Sequence, residues 1–507
     1  MESATATLEQ ALKEVEKFKR EAEFYRDAYL KIRRKKWGSK SESFENSDQL
    51  VFNEIEVEGK KLEPLETETI TYIRKKGRGK KKPYPESLER EELIVDLEEC
   101  QKICPHDGTR LKKIGEDLTE KLKSYPAHHV VQTIRKFKYA CDCCEGYMAQ
   151  GKHDSVLPGT IASPEILSFI IFSKFFQSLP LYRLEELYGL SGIKLTRGTM
   201  ARWLIQSSEK LMPIWNLLEE KMFEQGYMAI DATSIQVLKE QGRAPQLKST
   251  MWARGSPELG IILFDYDQSG SGKVAKRLIE GFNGALQADA HPGYDQLQQQ
   301  DLILLGCLMH SRRRFYQAWL GVKKNKESIA YEGLKYFQWI YKLESEFKEQ
   351  AITPHQRKII RDKEIRPRMG GLKNWCENQL LRVPKTSDIG NALNYYVTQY
   401  DELISFLRNG RFEIDNGWVE RQIRRFAIGR KNWIFSDTVD GANASALLYS
   451  LALTAKLNGK NPYDVMVEVF KRRPKASTLE DYEELTNLLL VGYNPSSCRK
   501  KEGALIH

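Results

Sequence analysis

The spacing of apolar positions changes period several times along the chain. Between Leu8 and Ile32 it is a heptad: Leu8, Val15, Ala22 and Tyr29 recur every seven, and Ala11, Phe18, Tyr25 and Ile32 lie three after each. This predicts a helix, either a coiled coil or an amphipathic helix packed on its own chain, with self-association preferred. From about Gly38 to Arg90 the pattern fades. Alternating stretches at His129–Ile134 and Phe137–Ala140 then predict a small β unit. Residues 162–222 return to helical spacing. Ser163-Pro164 opens one helix, and Thr196 caps another after a turn containing Gly189 and Gly192.

Beyond Gly226 the period shortens to two. Tyr227–Asp231 running into Ser234–Leu238, then Ser249–Arg254, then Gly260–Tyr266, predict three strands in hairpin-like succession. A helix from about Lys273 to Glu280, a strand at Ala285–Asp289, a short helix and a strand at Leu302–Cys307 follow. Three hairpin strands followed by alternating helix and strand are the plan of a ribonuclease H-like α/β core. Residues 321–409 are helical by the spacing of Leu334, Phe337 and Tyr341 and of Leu393, Tyr396 and Tyr400. The predicted order is an N-terminal coiled-coil helix (1–44), a basic linker (45–90), a zinc-binding, ribbon-like β unit (91–152) and a helical, helix-turn-helix-like DNA-binding domain (153–222). The ribonuclease H-like core comes in two parts (223–320 and 410–460), split by the helical insertion (321–409) and followed by a helical tail (461–507).

Composition narrows the class. The chain has 507 residues, 41% of them hydrophobic, enough for real cores and too many for one domain. No apolar run approaches the length of a membrane helix, and the opening residues carry no signal-like pattern. An intracellular protein is expected. The net charge of +10 matters through clustering. Arg74, Lys75, Lys76, Arg78, Lys80, Lys81 and Lys82 put seven cations into nine residues, a segment able to follow phosphates or to serve as a solvated linker. Arg197, Thr199 and Arg202 could face a groove, while Met200, Trp203 and Leu204 turn inward.

Two sets of residues carry chemistry. Five of the eight cysteines fall between Cys100 and Cys144. Cys141-x-x-Cys144 has zinc-ligand spacing and pairs with Cys100 and Cys104 in a closed structural site, with His106 or Asp107 as substitutes for Cys100. Unmetallated cysteines are the alternative. The second set is Asp231 at the end of the first core strand, Asp289 at the end of the fourth, and Glu420 on a helix capped by Asp415 or Asn416. Adjacent strands would bring the two aspartates to one edge. Val419, Ile423 and Phe426 form the helix's buried stripe; Glu420 points elsewhere, among Arg421, Arg424, Arg425, Arg430 and Lys431. Carboxylates suit two Mg²⁺ (or Mn²⁺) ions acting on a phosphodiester. Singly, each acid is more simply a solvated strand end or a partner of Arg424, and Asp265, Asp267 and Asp295 are rivals.

At this point the chain resembles the large transposase of the insertion sequence sixty-six family. The resemblance rests on WGSKSESF, SLPLYRLEELY, AIDATSIQVL, LQADAHPGYDQL, GCLMHSRRRF, FEIDNGWVERQIRRFAIGRKNWIF and LTAKLNGKNPYD. It implies a DDE transposase whose triad falls on Asp231, Asp289 and Glu420, which binds the terminal repeats of a mobile element in a bacterial nucleoid. Cleavage would expose a 3′-hydroxyl that then attacks target DNA. It further implies a homodimer or higher oligomer and accessory proteins of the same element. This sequence departs from the family where Pro105, His106 and Asp107 follow Cys104, at Asn416-Gly417 in place of a doubled asparagine, and at Ala290. The alternatives are a catalytically silent DNA-binding derivative and a nuclease acting on RNA–DNA hybrids or junctions.

Overall fold

The computed structural model describes residues 129–135, 138–140, 148–150, 154–289 and 302–490. The heptad helix, the basic run 74–82 and Cys100, Cys104, Cys141 and Cys144 lie outside the described residues. Strands β1 (Lys138–Ala140) and β2 (Met148–Gln150) pair antiparallel.

Helices α1 (Pro164–Ile171), α2 (Leu181–Leu190) and α3 (Arg197–Glu224) follow. Ser163 accepts from the Ile166 amide and Thr196 from the Thr199 amide, satisfying N–H groups that a helix start leaves unpaired. Met200, Trp203 and Leu204 are buried on α3, and Arg197 and Arg202 are exposed.

The centre is a mixed sheet of β3 (Tyr227–Lys239), β4 (Lys248–Ser256), β5 (Ile261–Asp267), β6 (Gly284–Gln287) and β7 (Leu302–Leu305), with α4 (Gly272–Leu278) between β5 and β6. The strand order is β5-β4-β3-β6-β7. β3, β4 and β5 are antiparallel neighbours, whereas β6 runs parallel to β3 and β7 parallel to β6. The first expected strand is longer than its apolar run suggests. β3 has 13 residues because β4 pairs along it from Ala229 to Gln236 and β8 (Ser436–Thr438) pairs its last residues, so Asp231 sits inside the strand and does not end it.

After β7 come α5 (Leu308–Gly321), α6 (Ile329–Glu349), α7 (Pro354–Ile360), α8 (Arg366–Leu380), α9 (Asp388–Thr398) and α10 (Tyr400–Ile404). They enclose a core around Phe315, Phe337, Met369 and Tyr396. Buried Arg361 donates two bonds to Glu344, at 2.7 and 2.8 Å, and a third to the Phe412 carbonyl. The chain then returns to the sheet with α11 (Gly417–Trp433), α12 (Val439–Leu457), α13 (Pro462–Arg472) and α14 (Leu479–Asn487). α12 is buried almost all round and covers the sheet edge: the Phe264 and Ile262 amides of β5 donate to Ser450 and Thr454. Unpaired edge amides are thereby satisfied. Among the described residues no helix is long and apolar enough to cross a membrane.

Candidate metal and phosphodiester site

Register brings two of the acids together. Ala229 of β3 pairs with Gln287 of β6 in parallel, and Asp231 and Asp289 each lie two residues further on. Side chains two apart point to the same face, and neighbouring strands are about 5 Å apart, so the two carboxyls leave the sheet side by side. They line a cleft of about 300 Å³ together with Thr233, Ser234, Thr250 and Trp252. One Asp231 oxygen accepts from the Ala232 amide at 2.7 Å.

Glu420 comes from the first turn of α11, and the start of that helix is pinned to the strand carrying Asp231. The Asn416 side chain, 1% exposed, donates to the Ile230 carbonyl at 2.9 Å, and its amide donates to the Cys307 sulfur. Asp415, not Asn416, accepts from the first helical amide, that of Gly417. Gly255 of β4 admits the Trp418 ring, since any Cβ there would lie 2.5 Å from it. Gln287 donates to the Glu413 carbonyl, so the entry to α11 is tied to β6 as well.

The neighbours of Glu420 come from α5 and not from its own helix. Arg313 lies 3.4 Å from one oxygen, and His310 Nδ1 lies 3.6 Å from the other. The second distance is too long for a hydrogen bond. Both His310 Nδ1 and Glu420 Oε1 are consequently buried polar atoms without a hydrogen-bond partner. Such atoms are costly unless something polar meets them.

The electrostatics point the same way. The Asp231 carboxyl is pushed up to about 7, first by burial and then by the charges of Glu420 and Asp289; the Ala232 amide and Arg313 oppose this. His310 is held below the ordinary imidazole value by burial, against the pull of Glu420 and Asp289. Asp231 lies within electrostatic reach of Glu420 and Asp289, and carboxylates so placed suit a hard divalent cation. Among the described residues, the group of three whose ligand atoms all lie within 4.8 Å of one another is Cys307, His310 and Glu420; Asp231, Asp289 and Glu420 stand further apart than that. That softer set is the weaker metal site. Cys307 already accepts from Asn416, and burial pushes its thiol up, away from the thiolate a metal needs.

Comparison with known proteins fixes the family. The profile described as "Transposase IS66 family" matches residues 159–444, more than half the chain and all three acids. The chain belongs to the IS66 transposase family. Two further profiles match: the zinc-finger binding domain of transposase IS66 over residues 101–145, and "Transposase C of IS166 homeodomain" over 25–93. The chain is 30% identical to the uncharacterized protein y4jD of Sinorhizobium fredii, covering 78% of each. It is 25% identical to y4hP of the same organism, over 77% of this chain and 74% of that one. Membership of the family indicates a transposase, with DNA as its partner.

The other candidate residues of this IS66 transposase fall into place around the acids. Arg421, Arg424 and Lys431 are exposed on α11, and Arg425 is half-buried. Arg430 is not free to reach outward, because it donates to Thr233 and Ser234 on the cleft wall. Of the rival acids, Asp265 is held by buried Arg254 and Asp267 by Arg277, and Asp295 lies outside the described residues. His310, Arg313 and Asn416 carry weight that sequence reasoning did not assign. Cys307-x-x-His310, opening a helix directly after a core strand, was the available signal.

Proposed function

We propose that the chain cuts and joins DNA, with Asp231, Asp289 and Glu420 as a DDE triad holding two Mg²⁺ or Mn²⁺ ions. The observation that carries this reading is the Asp231 carboxyl, pushed up first by burial and then by Glu420 and Asp289, although the three come from β3, the segment just past β6, and α11. The strand order and directions match a ribonuclease H-like core, which supports the same assignment. When bound, the ions would supply activation of the attacking oxygen and stabilisation of the leaving one.

The protein's own residues do the rest. Asp231 and Asp289 would hold the ions from the sheet. Asn416 holds α11 against Ile230 and so sets where Glu420 would join them. Arg313 neutralises part of the Glu420 charge, and His310 stands beside the other Glu420 oxygen with its Nδ1 unpartnered. Arg421, Arg424, Arg425 and Lys431 would approach phosphates. Upstream, residues 153–222, the basic linker and the zinc unit of 91–152 would grip the element's terminal repeats. The zinc assignment draws support from the zinc-finger profile, which begins at residue 101 and so favours Cys104, Cys141 and Cys144 over Cys100. The N-terminal helix would pair protomers.

The test is a Mg²⁺-dependent nicking and strand-transfer assay on the ends of the element encoding the chain. Alanine at Asp231, Asp289 or Glu420 should abolish cleavage and leave end binding intact. Full activity in Asp289→Ala would overturn the assignment.

A further inference from the structure

The C-terminal end of α11 carries a strained, exposed apolar pair. Ile434 has φ 67° and ψ −55°, and the Phe435 amide donates to the Trp433 carbonyl at 2.8 Å. This is the γ-turn of positive φ, a rare and strained form. Of the non-glycine residues with positive φ among the described residues, Ile434 is the β-branched one, the type that tolerates it least. Ile434 is nevertheless 62% exposed and Phe435 42% exposed, so burial does not offset the strain.

The pair is also held firmly. On one side Asn432 donates to the Ser178 carbonyl at 3.0 Å. On the other, Ser436 begins the pairing of β8 with β3, and Lys239 binds Asp437 at 2.7 Å. Two large apolar side chains are thus presented to the outside on a braced turn. Backbone strain kept by rigid surroundings is found mostly at functional positions.

We propose that Ile434 and Phe435 form a wedge that enters a base step of duplex DNA lying along α11. The inference rests on the DNA-cutting reading above and adds a contact to it. Charge chooses the occupant: besides Arg430, the helix from Gly417 to Trp433 carries Arg421, Arg424, Arg425 and Lys431 against a single acid, Glu420. The pair is continuous with the cleft through Arg430, four residues before Ile434, which binds Thr233 and Ser234 on the cleft wall. Ile and Phe are among the side chains that unstack base steps and kink a duplex. Fourteen residues separate Glu420 from Ile434. At a helical rise of 1.5 Å that is about 21 Å, or about six base-pair steps from the cleavage point.

The test uses the full chain and 30-base-pair duplexes cut from the ends of the encoding element, each with 2-aminopurine at one step. Anisotropy reads binding, and 2-aminopurine fluorescence reads unstacking. The wild type should bind and brighten the probe about six steps from the cleavage site. Ile434→Gly combined with Phe435→Ser should remove that signal and weaken binding by about 10-fold. A mismatch placed at the same step should restore most of the affinity. Glycine adopts the turn freely, so the variant keeps its fold, as an unchanged or raised melting temperature will show. Brightening that persists in the folded double variant would overturn the wedge. So would unchanged fluorescence with an altered sedimentation coefficient, which would assign the pair to contact between copies. A wild type that binds no duplex at all would instead overturn the DNA-cutting reading beneath it.

Discussion

Replacing Asp231 by Asn should stabilise the metal-free protein above neutral pH. In the folded chain the Asp231 carboxyl is pushed up from 3.8 to about 7, by burial first and by Glu420 and Asp289 next. Below pH 4 the group is protonated in both folded and unfolded chains and costs nothing. Between pH 4 and 7 the unfolded chain releases the proton while the folded one keeps it, so stability falls as pH rises. Above 7 the folded protein carries the full cost of the ionised group, at most about 4 kcal/mol. Asn keeps the shape and still accepts from the Ala232 amide, yet it bears no charge. A gain of about 2–4 kcal/mol is expected at pH 8 in chelator, and almost none at pH 4. For a unit of this size that is a rise of roughly 2–5 °C in melting temperature. Thermal unfolding of both proteins at pH 4, 6 and 8, with chelator and with Mg²⁺, is the assay. Mg²⁺ should close the gap by stabilising the wild type alone. A variant no more stable than wild type at pH 8 in chelator would refute the raised Asp231 carboxyl.

Other substitutions probe separate parts of the account. Asn416→Leu leaves the Ile230 carbonyl without its donor and should cost about 1–3 kcal/mol in denaturant unfolding while slowing cleavage, because Glu420 loses its anchor. Ile434→Gly alone should raise stability by about 1 kcal/mol, since glycine removes the positive-φ strain and little buried surface is lost. Arg361→Leu strands the Glu344 carboxylate in the helical core and should cost about 3–5 kcal/mol, read as protease sensitivity between α6 and α10.

Much of the fold could be read from the chain because local and global signals agree. The period-two stretches became β3, β4 and β5, and Ser163 and Thr196 cap helices where capping chemistry predicts. The buried stripe of Val419, Ile423 and Phe426 is also where helical spacing put it. What the sequence hid depends on tertiary partners. The last residues of β3 pair with β8, some 200 residues later, and no local pattern announces that pairing. Glu420 was expected to face the ions, with pairing to Arg424, four residues on, as the simpler alternative. It meets His310 and Arg313 because Asn416 turns its helix onto β3. Arg430 read as a phosphate ligand and is instead a brace on the cleft wall. The strain at Ile434 is invisible to residue type, since isoleucine there argues against the conformation it adopts.

The central claim is that these acids bind the ions that act on DNA, and a change of ligand softness tests it most directly. A thiolate binds Mg²⁺ poorly and Mn²⁺ better. Cleavage of the element's ends by Asp289→Cys should therefore fall by about 100-fold or more in Mg²⁺ and recover by about 10-fold or more in Mn²⁺. Wild-type rates in Mg²⁺, or a loss that is the same in both metals, would contradict the account.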